Sequence, residues 1–211
     1  MNNLPQIMTA ILDELESKNA IRDATLGRSR TLIRFCANSI RAVHRAEFVE
    51  AQDLLRQARD AAAEMVGDLA AFPDIYFAGY TQDALKELAE AHITYAVIAG
   101  QPIPAPRELG VEPAAYLNGM GEAAGELRRF VLDVIRSGRV ADGERGLEAM
   151  DTIYSYLVTV DYPDAVTGGL RRTTDMVRGV LERTRGDFTT AVRQDQLQDS
   201  LHALESRLPS E

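Results

Sequence analysis

Apolar residues recur at three- and four-residue intervals along almost the whole chain, and the two-residue alternation of a half-buried strand is almost absent. The spacing predicts a first long helix from near Pro5 to Arg45, with Gly27 a candidate interruption. A second follows in "AEFVEAQDLLRQARDAAAEMVGDLAAF", where Ala and Leu keep the i, i+3, i+4 rhythm until Pro73 ends it. A third runs from about Phe77 to Ala99 and stops at Gly100. "QPIPAPRELGVEP", rich in proline, reads as a connector. A fourth helix is expected from Pro113, a good first helical residue, to Arg136, with Gly138 beyond its end. "DGERGLEAMDTIYSYLVTV" supplies a shorter fifth, and "DYPDAVTGG" a turn. The last segment, from Leu170 to about Leu208, is charged and helical, with Gly186 a candidate division into two. These elements predict one all-α domain over residues 1–211, a bundle of six to seven helices without internal repeats.

Composition narrows the class further. The chain has 211 residues, no Trp and 6% aromatics, and it is rich in Ala and Leu, which favours helix over strand. Cys36 is the only cysteine, so an internal disulfide and a thiolate zinc site are excluded and a reducing, cytoplasmic setting is expected. The beginning, "MNNLPQIMTAILDELESKNAIRD", is too acidic and too briefly apolar for a signal peptide, and no run is long enough to span a membrane.

The formal charge of −9 argues against a nucleic-acid partner until its distribution is considered. Lys18 and Lys86 are the only lysines, so positive charge is almost entirely arginine. Between Arg22 and Ala46, six arginines face the single acid Asp23. Arg30, Arg34, Arg41 and Arg45 fall within about 60° on one helix. They could track a phosphate backbone, or they could form a solvated face paired with Glu47 and Glu50. Arg128, Arg129, Arg136 and Arg139 form a second basic group on the fourth helix and just beyond its end.

Acidic residues occupy two other helices in a suggestive way. Asp83, Glu87 and Glu90 lie within about 60° on the third helix, yet Ile93, Val97 and Ile98 bring apolar side chains round toward the same flank. Such a helix is expected to be buried on most sides, and acids on a buried helix need partners or a metal. On the fourth helix Glu122 and Glu126 are an i, i+4 pair, with Asp133 continuing the stripe. Gly119, Gly121 and Gly125 surround the pair, each lowering helix stability by about 1 kcal/mol relative to Ala. Close approach of another helix or of a ligand would account for them. The acids are therefore either solvated faces or a convergent set. Converging carboxylates would suit Mg²⁺ or Mn²⁺ and metal-assisted phosphodiester chemistry. The Glu-x-x-His pair of di-iron bundles is absent, and His44, His92 and His202 are too scattered for a histidine site.

"AVHR" (42–45), "LKELAEA" (85–91), "LGVEP" (109–113) and "YLNGMGEAAGELRR" (116–129), in this order and spacing, resemble the translin/TRAX family, most closely its archaeal TRAX-like members. The resemblance implies a seven-helix translin-like fold assembled into closed homo-oligomeric shells, often octamers, that handle nucleic acid inside. TRAX subunits are Mg²⁺-dependent endoribonucleases of single-stranded RNA. Translin subunits bind RNA or single-stranded DNA without the catalytic acids. Residue by residue, the resemblance places the TRAX acids on Glu87, Glu90, Glu122 and Glu126, as catalytic and metal-binding groups. At Glu122 TRAX generally has aspartate, so this chain keeps the charge but adds a methylene. All four acids are present, which implies the nuclease type, with Arg30, Arg34, Arg41, Arg45, Arg128 and Arg129 as RNA-binding candidates. A non-catalytic translin-like binder of RNA or single-stranded DNA is the alternative.

Overall fold

A computed structural model of the chain describes residues 3–206. Among these residues there are no strands, and the helices run in the order α1 (Leu4–His44), α2 (Phe48–Gly67), α3 (Pro73–Tyr76), α4 (Gly79–Ala99), α5 (Pro106–Leu109), α6 (Pro113–Arg136), α7 (Gly143–Leu157), α8 (Asp164–Thr167) and α9 (Leu170–Glu205). A 3₁₀ turn, Val140–Asp142, precedes α7. The all-α expectation holds, but six to seven helices undercounts the nine found. The difference lies in α3, α5 and α8, single turns of four residues that are too short to display a hydrophobic period. Neither Gly27 nor Gly186 interrupts its helix. The expected last-helix end near Leu208 lies outside the described residues.

Chain contacts group the structure into two compact units. One holds the chain up to His92 together with Pro104–Gly119; the other holds Ile93–Ile103 together with the chain from Met120 onward.

In the first unit, α1 and α2 pack as an antiparallel hairpin. Ser39 Oγ donates to the Ala51 carbonyl near the turn, while Ser29 Oγ meets Met65 Sδ and Arg28 pairs with Asp68 at the other end. Leu32, Cys36, Ile40 and Val43 of α1 and Leu55, Ala58, Ala62 and Met65 of α2 are buried. Tyr76 donates to Glu112 (2.9 Å) and Tyr116 to the Pro104 carbonyl (2.8 Å), tying α3 and α6 to the connectors on either side of α5. In the second unit, Arg185 of α9 pairs with Asp151 of α7 at 2.6 Å, and Arg145 of α7 donates to the Ile98 carbonyl of α4 at 2.9 Å. Val131, Val134, Leu147, Met150, Ile153, Val177 and Phe188 are buried there.

His92, on α4, is 8% exposed, and its Nδ1 lies 2.9 Å from the Leu88 carbonyl. A carbonyl only accepts, so the neutral ring carries its proton on Nδ1. Burial lowers the His92 pKa to about 4 from an ordinary 6.5. The unfolded chain therefore binds a proton that the folded chain refuses, and this contribution to stability is full above pH 6.5 and declines as pH falls toward 4. Urea melts at pH 7.5, 6.5 and 5.5 are expected to show the decline, with on the order of 1 kcal/mol lost by pH 5.5 and at most ~3 kcal/mol by pH 4. His92→Gln should flatten the profile.

Candidate metal centre

The site begins with α4. Ala84, Leu85, Leu88, Ala89, Ala91, Ile93, Ala96 and Ile98 are all buried, as the near-continuous apolar character of this helix predicts. Glu87 and Glu90 share one face of it, and Glu90 is only 9% exposed. Asp83, a turn earlier, is solvated and pairs with Lys86 at 3.9 Å.

The approach of α6 is set by Gly119. A Cβ on this residue would stand 2.5 Å from the Lys86 carbonyl oxygen, 3.0 Å from Ala89 Cβ and 3.0 Å from the Glu90 backbone nitrogen. Only a glycine lets the α6 backbone come this near to α4, immediately beside Glu90. Glu122 follows one turn later on the same continuous helix. Gly121 has a different partner: its Cβ would lie 2.3 Å from Thr173 Cγ2 of α9. Gly125 has nothing within 4 Å of the corresponding position. Two of the three glycines thus mark helix–helix approach, and the third does not.

One carboxylate oxygen from each of Glu87, Glu90 and Glu122 lies within 4.8 Å of the other two. Glu126 is not in this group of three; its carboxylate is 3.9 Å from Arg129. A second element borders the α4 acids. Cys36, fully buried on α1, has its thiol pushed up by burial first and then by the charges of Glu87 and Glu90, so it stays protonated. Thr94, four residues after Glu90 and on the same face of α4, is fully buried, and its hydroxyl has no hydrogen-bond partner among the described residues. Nothing in the sequence signals that Cys36 borders the acids, and Thr94 does not stand out there, although its i+4 spacing from Glu90 places it on the acidic stripe.

Three hard anionic oxygens at this separation match what Mg²⁺ or Mn²⁺ takes from protein, namely a few carboxylates with the remaining positions left to water or phosphate. The donor set fits such an ion. It does not fit zinc or a redox iron, which would call for imidazole or thiolate: His92 is turned to its own helix backbone and Cys36 is a protonated thiol.

The arginines divide. Arg30, Arg34 and Arg41 on α1 and Arg45 just past its end are all exposed. Arg45 pairs with Glu47 at 2.5 Å and Glu50 at 3.7 Å, and Arg41 donates to Asn38 at 2.6 Å. Arg30 and Arg34 have no ion-pair partner among the described residues, and the Arg34 guanidinium sits 5.8 Å from the Phe35 ring centre. Arg128 is engaged with α9, donating to Thr184 Oγ1 at 3.0 Å and pairing with Asp187 at 2.9 Å. Arg129 remains more than half exposed. Among the described residues, no helix is long and apolar enough to cross a membrane.

No protein-family model matches the chain. It is 32% identical over 203 residues to an uncharacterised protein of Methanocaldococcus jannaschii, covering 95% of this chain and 90% of that one. Among solved structures it is similar to AfC3PO in complex with duplex RNA, with 34% identity and a TM-score of 0.81, covering 89% of this chain and 97% of that one. A crystal structure of AfC3PO alone gives 33% identity and the same TM-score and coverage. Apo-NeC3PO, at 21% identity and a TM-score of 0.79, covering 87% of this chain and 96% of that one, shares the fold. With the same all-helical fold and 34% identity to AfC3PO over most of this chain and nearly all of that one, the chain belongs to the translin/TRAX family, C3PO type.

Proposed function

We propose that this protein is a metal-dependent endoribonuclease of single-stranded RNA, working as a cytoplasmic homo-oligomer, of which an octamer is the expected form. The observation that carries the reading is the meeting of Glu87, Glu90 and Glu122 within 4.8 Å, on a chain that belongs to this family. These three residues would hold Mg²⁺, or Mn²⁺ in its place, with Glu126 one turn beyond Glu122 as the fourth acid of the set. When bound there, the ion would act as a Lewis acid on the phosphodiester and lower the pKa of a bound water. The chain itself contributes position and field. The buried flanks of α4 fix Glu90 with little freedom, and Gly119 fixes α6 beside it. RNA would be held by arginine, foremost Arg30 and Arg34, with Arg41 and Arg45 released from Asn38, Glu47 and Glu50 as phosphate competes for them. Arg129 is a further candidate. Arg128 is a weaker one, because its ion pair and hydrogen bond already join α6 to α9.

AfC3PO has been solved with duplex RNA, so binding by both single-stranded and duplex RNA should be compared. For a single strand the slope of log K against log salt is about −0.7 per phosphate neutralised. Changing Arg30 and Arg34 to Ala together is expected to weaken RNA binding and reduce the magnitude of that slope by about 1 to 1.5, read by filter binding between 50 and 300 mM salt. An unchanged slope would remove the α1 stripe from the RNA path. Arg128→Ala should instead lower thermal stability.

The metal site itself is tested by Mn²⁺ titration followed by electron paramagnetic resonance. Stoichiometric binding that Mg²⁺ displaces supports the reading. Absence of binding, with RNA still retained, would favour the translin-like binding protein instead.

A further inference from the structure

The first turns of α1 carry a feature the nuclease reading leaves unused. Every described residue up to Ser17 is exposed, and just beyond them the ion pair of Lys18 with Asp74 joins the helix to α3. Yet this exposed segment, "LPQIMTAILDELES", is strongly apolar on one side. Leu4, Ile7, Met8, Ile11, Leu12 and Leu15 are each 44–58% exposed and form one stripe along almost three turns. A contiguous patch of six large apolar side chains is more than a soluble monomer ordinarily leaves open, and a helix of this length is marginal in water unless such a face is covered.

The spacing of the stripe identifies what covers it. Positions 4 and 15, 7 and 12, and 8 and 11 are each equidistant from the midpoint between Thr9 and Ala10. A second copy of the same segment, laid antiparallel about a twofold axis through that midpoint, brings Leu4 level with Leu15 and Met8 level with Ile11. Leu4, Met8, Ile11 and Leu15 also follow the alternating four- and three-residue steps of a coiled-coil seam. A twofold contact requires a patch of this kind, one complementary to itself.

Charge selects the same orientation. Asp13, Glu14 and Glu16 lie at the body-proximal end of the segment, with no acid among the described residues before Asp13. A parallel pair would stack these acids on their own copies. The antiparallel pair sets them level with the partner's Gln6, Pro5 and Asn3, beside the positive end of the partner's helix dipole.

We infer that residues 4–15 of α1 form an isologous, antiparallel helix contact with the same segment of a second copy of this chain. The inference stands apart from the ribonuclease reading, since it uses none of the site residues. It is tested on the full chain by disulfide trapping and mass measurement. The only native cysteine, Cys36, is fully buried and leaves the background silent. Leu4→Cys co-expressed with Leu15→Cys should give a cross-linked dimer of the two different variants, while Leu4→Cys alone should not, because the two copies of position 4 lie about 16 Å apart at 1.5 Å per residue. Ile11→Glu should lower the assembly mass seen by sedimentation velocity, with the helical circular dichroism and melting temperature of the parent retained. Cross-linking of Leu4→Cys to itself would establish a parallel pair and overturn the inference. An unchanged mass in Ile11→Glu, with no Leu4–Leu15 cross-link, would overturn it too. Loss of the higher mass only in Leu197→Glu, on a further exposed apolar stretch near the end of α9, would move the contact to that helix.

Discussion

Glu90→Gln is expected to reduce RNA cleavage by at least about 100-fold, equivalent to ~2.7 kcal/mol or more of lost transition-state stabilisation, while leaving the protein as stable as its parent. Gln keeps the shape and most of the packing of Glu at a position that is 9% exposed. What it removes is one negative charge from three carboxylates whose oxygens lie within 4.8 Å of one another. Without a cation those charges repel, at a cost on the order of a few kcal/mol per pair at an effective dielectric near 20. Neutralising one therefore relieves the metal-free protein and weakens the metal-bound one. The signature is a pair of opposite effects. The melting temperature in EDTA holds or rises, and the increase in melting temperature on adding Mg²⁺ or Mn²⁺ shrinks or disappears. A variant that melts normally, responds to metal like the parent and still cleaves would show that Glu90 does not belong to the reacting site.

Gly119→Ala should be destabilising, against the trend for helices. Ala is favoured over Gly in a helix interior by about 1 kcal/mol, but here its Cβ would stand 2.5 Å from the Lys86 carbonyl oxygen and 3.0 Å from the Glu90 nitrogen. Both are backbone atoms of α4 and cannot turn aside as a side-chain end could. The helices must separate, and a net loss of about 1–3 kcal/mol is expected, more for Gly119→Val. The effect should extend to chemistry, because the contact is at Glu90 and Glu122 follows one turn along α6. Mn²⁺ affinity is expected to fall together with stability. Gly125→Ala is the control on the same helix. Its position is exposed with nothing within 4 Å, so the substitution should stabilise by up to about 1 kcal/mol. Urea melts of the parent and both variants, with Mn²⁺ titrations beside them, decide the matter. Equal effects at the two glycines would mean that α6 does not depend on the close approach at Gly119.

The long helices were legible because their stop and start signals are local. Pro113 opens α6, Gly138 with φ +73° follows its end, and Gly100 with φ +68° terminates α4, each acting through its own backbone preference. Gly27 and Gly186 misled for a related reason. A glycine lowers helix propensity wherever it stands, but neither residue is needed for a positive φ, and helix continues on both sides of each. The short helices were illegible because four residues cannot show a period.

At the candidate site, which acids share a helix face could be read from the sequence, since that depends only on helical spacing. How Glu122 comes to Glu87 and Glu90 could not, because it depends on how α6 lies against α4, and the close spacing at Gly119 was the one local hint. Arg128 shows the converse limit. It looked like a phosphate ligand beside Arg129, yet its partners Thr184 and Asp187 are more than fifty residues away in sequence. No local pattern could have separated the two arginines.

The measurement that bears most directly on the central claim is cleavage of an end-labelled single-stranded RNA by the purified protein in Mg²⁺ and in EDTA, with duplex RNA alongside. The account predicts internal cuts in the single strand that require Mg²⁺ and vanish in EDTA. RNA that is bound but left intact in Mg²⁺ and in Mn²⁺ would contradict it.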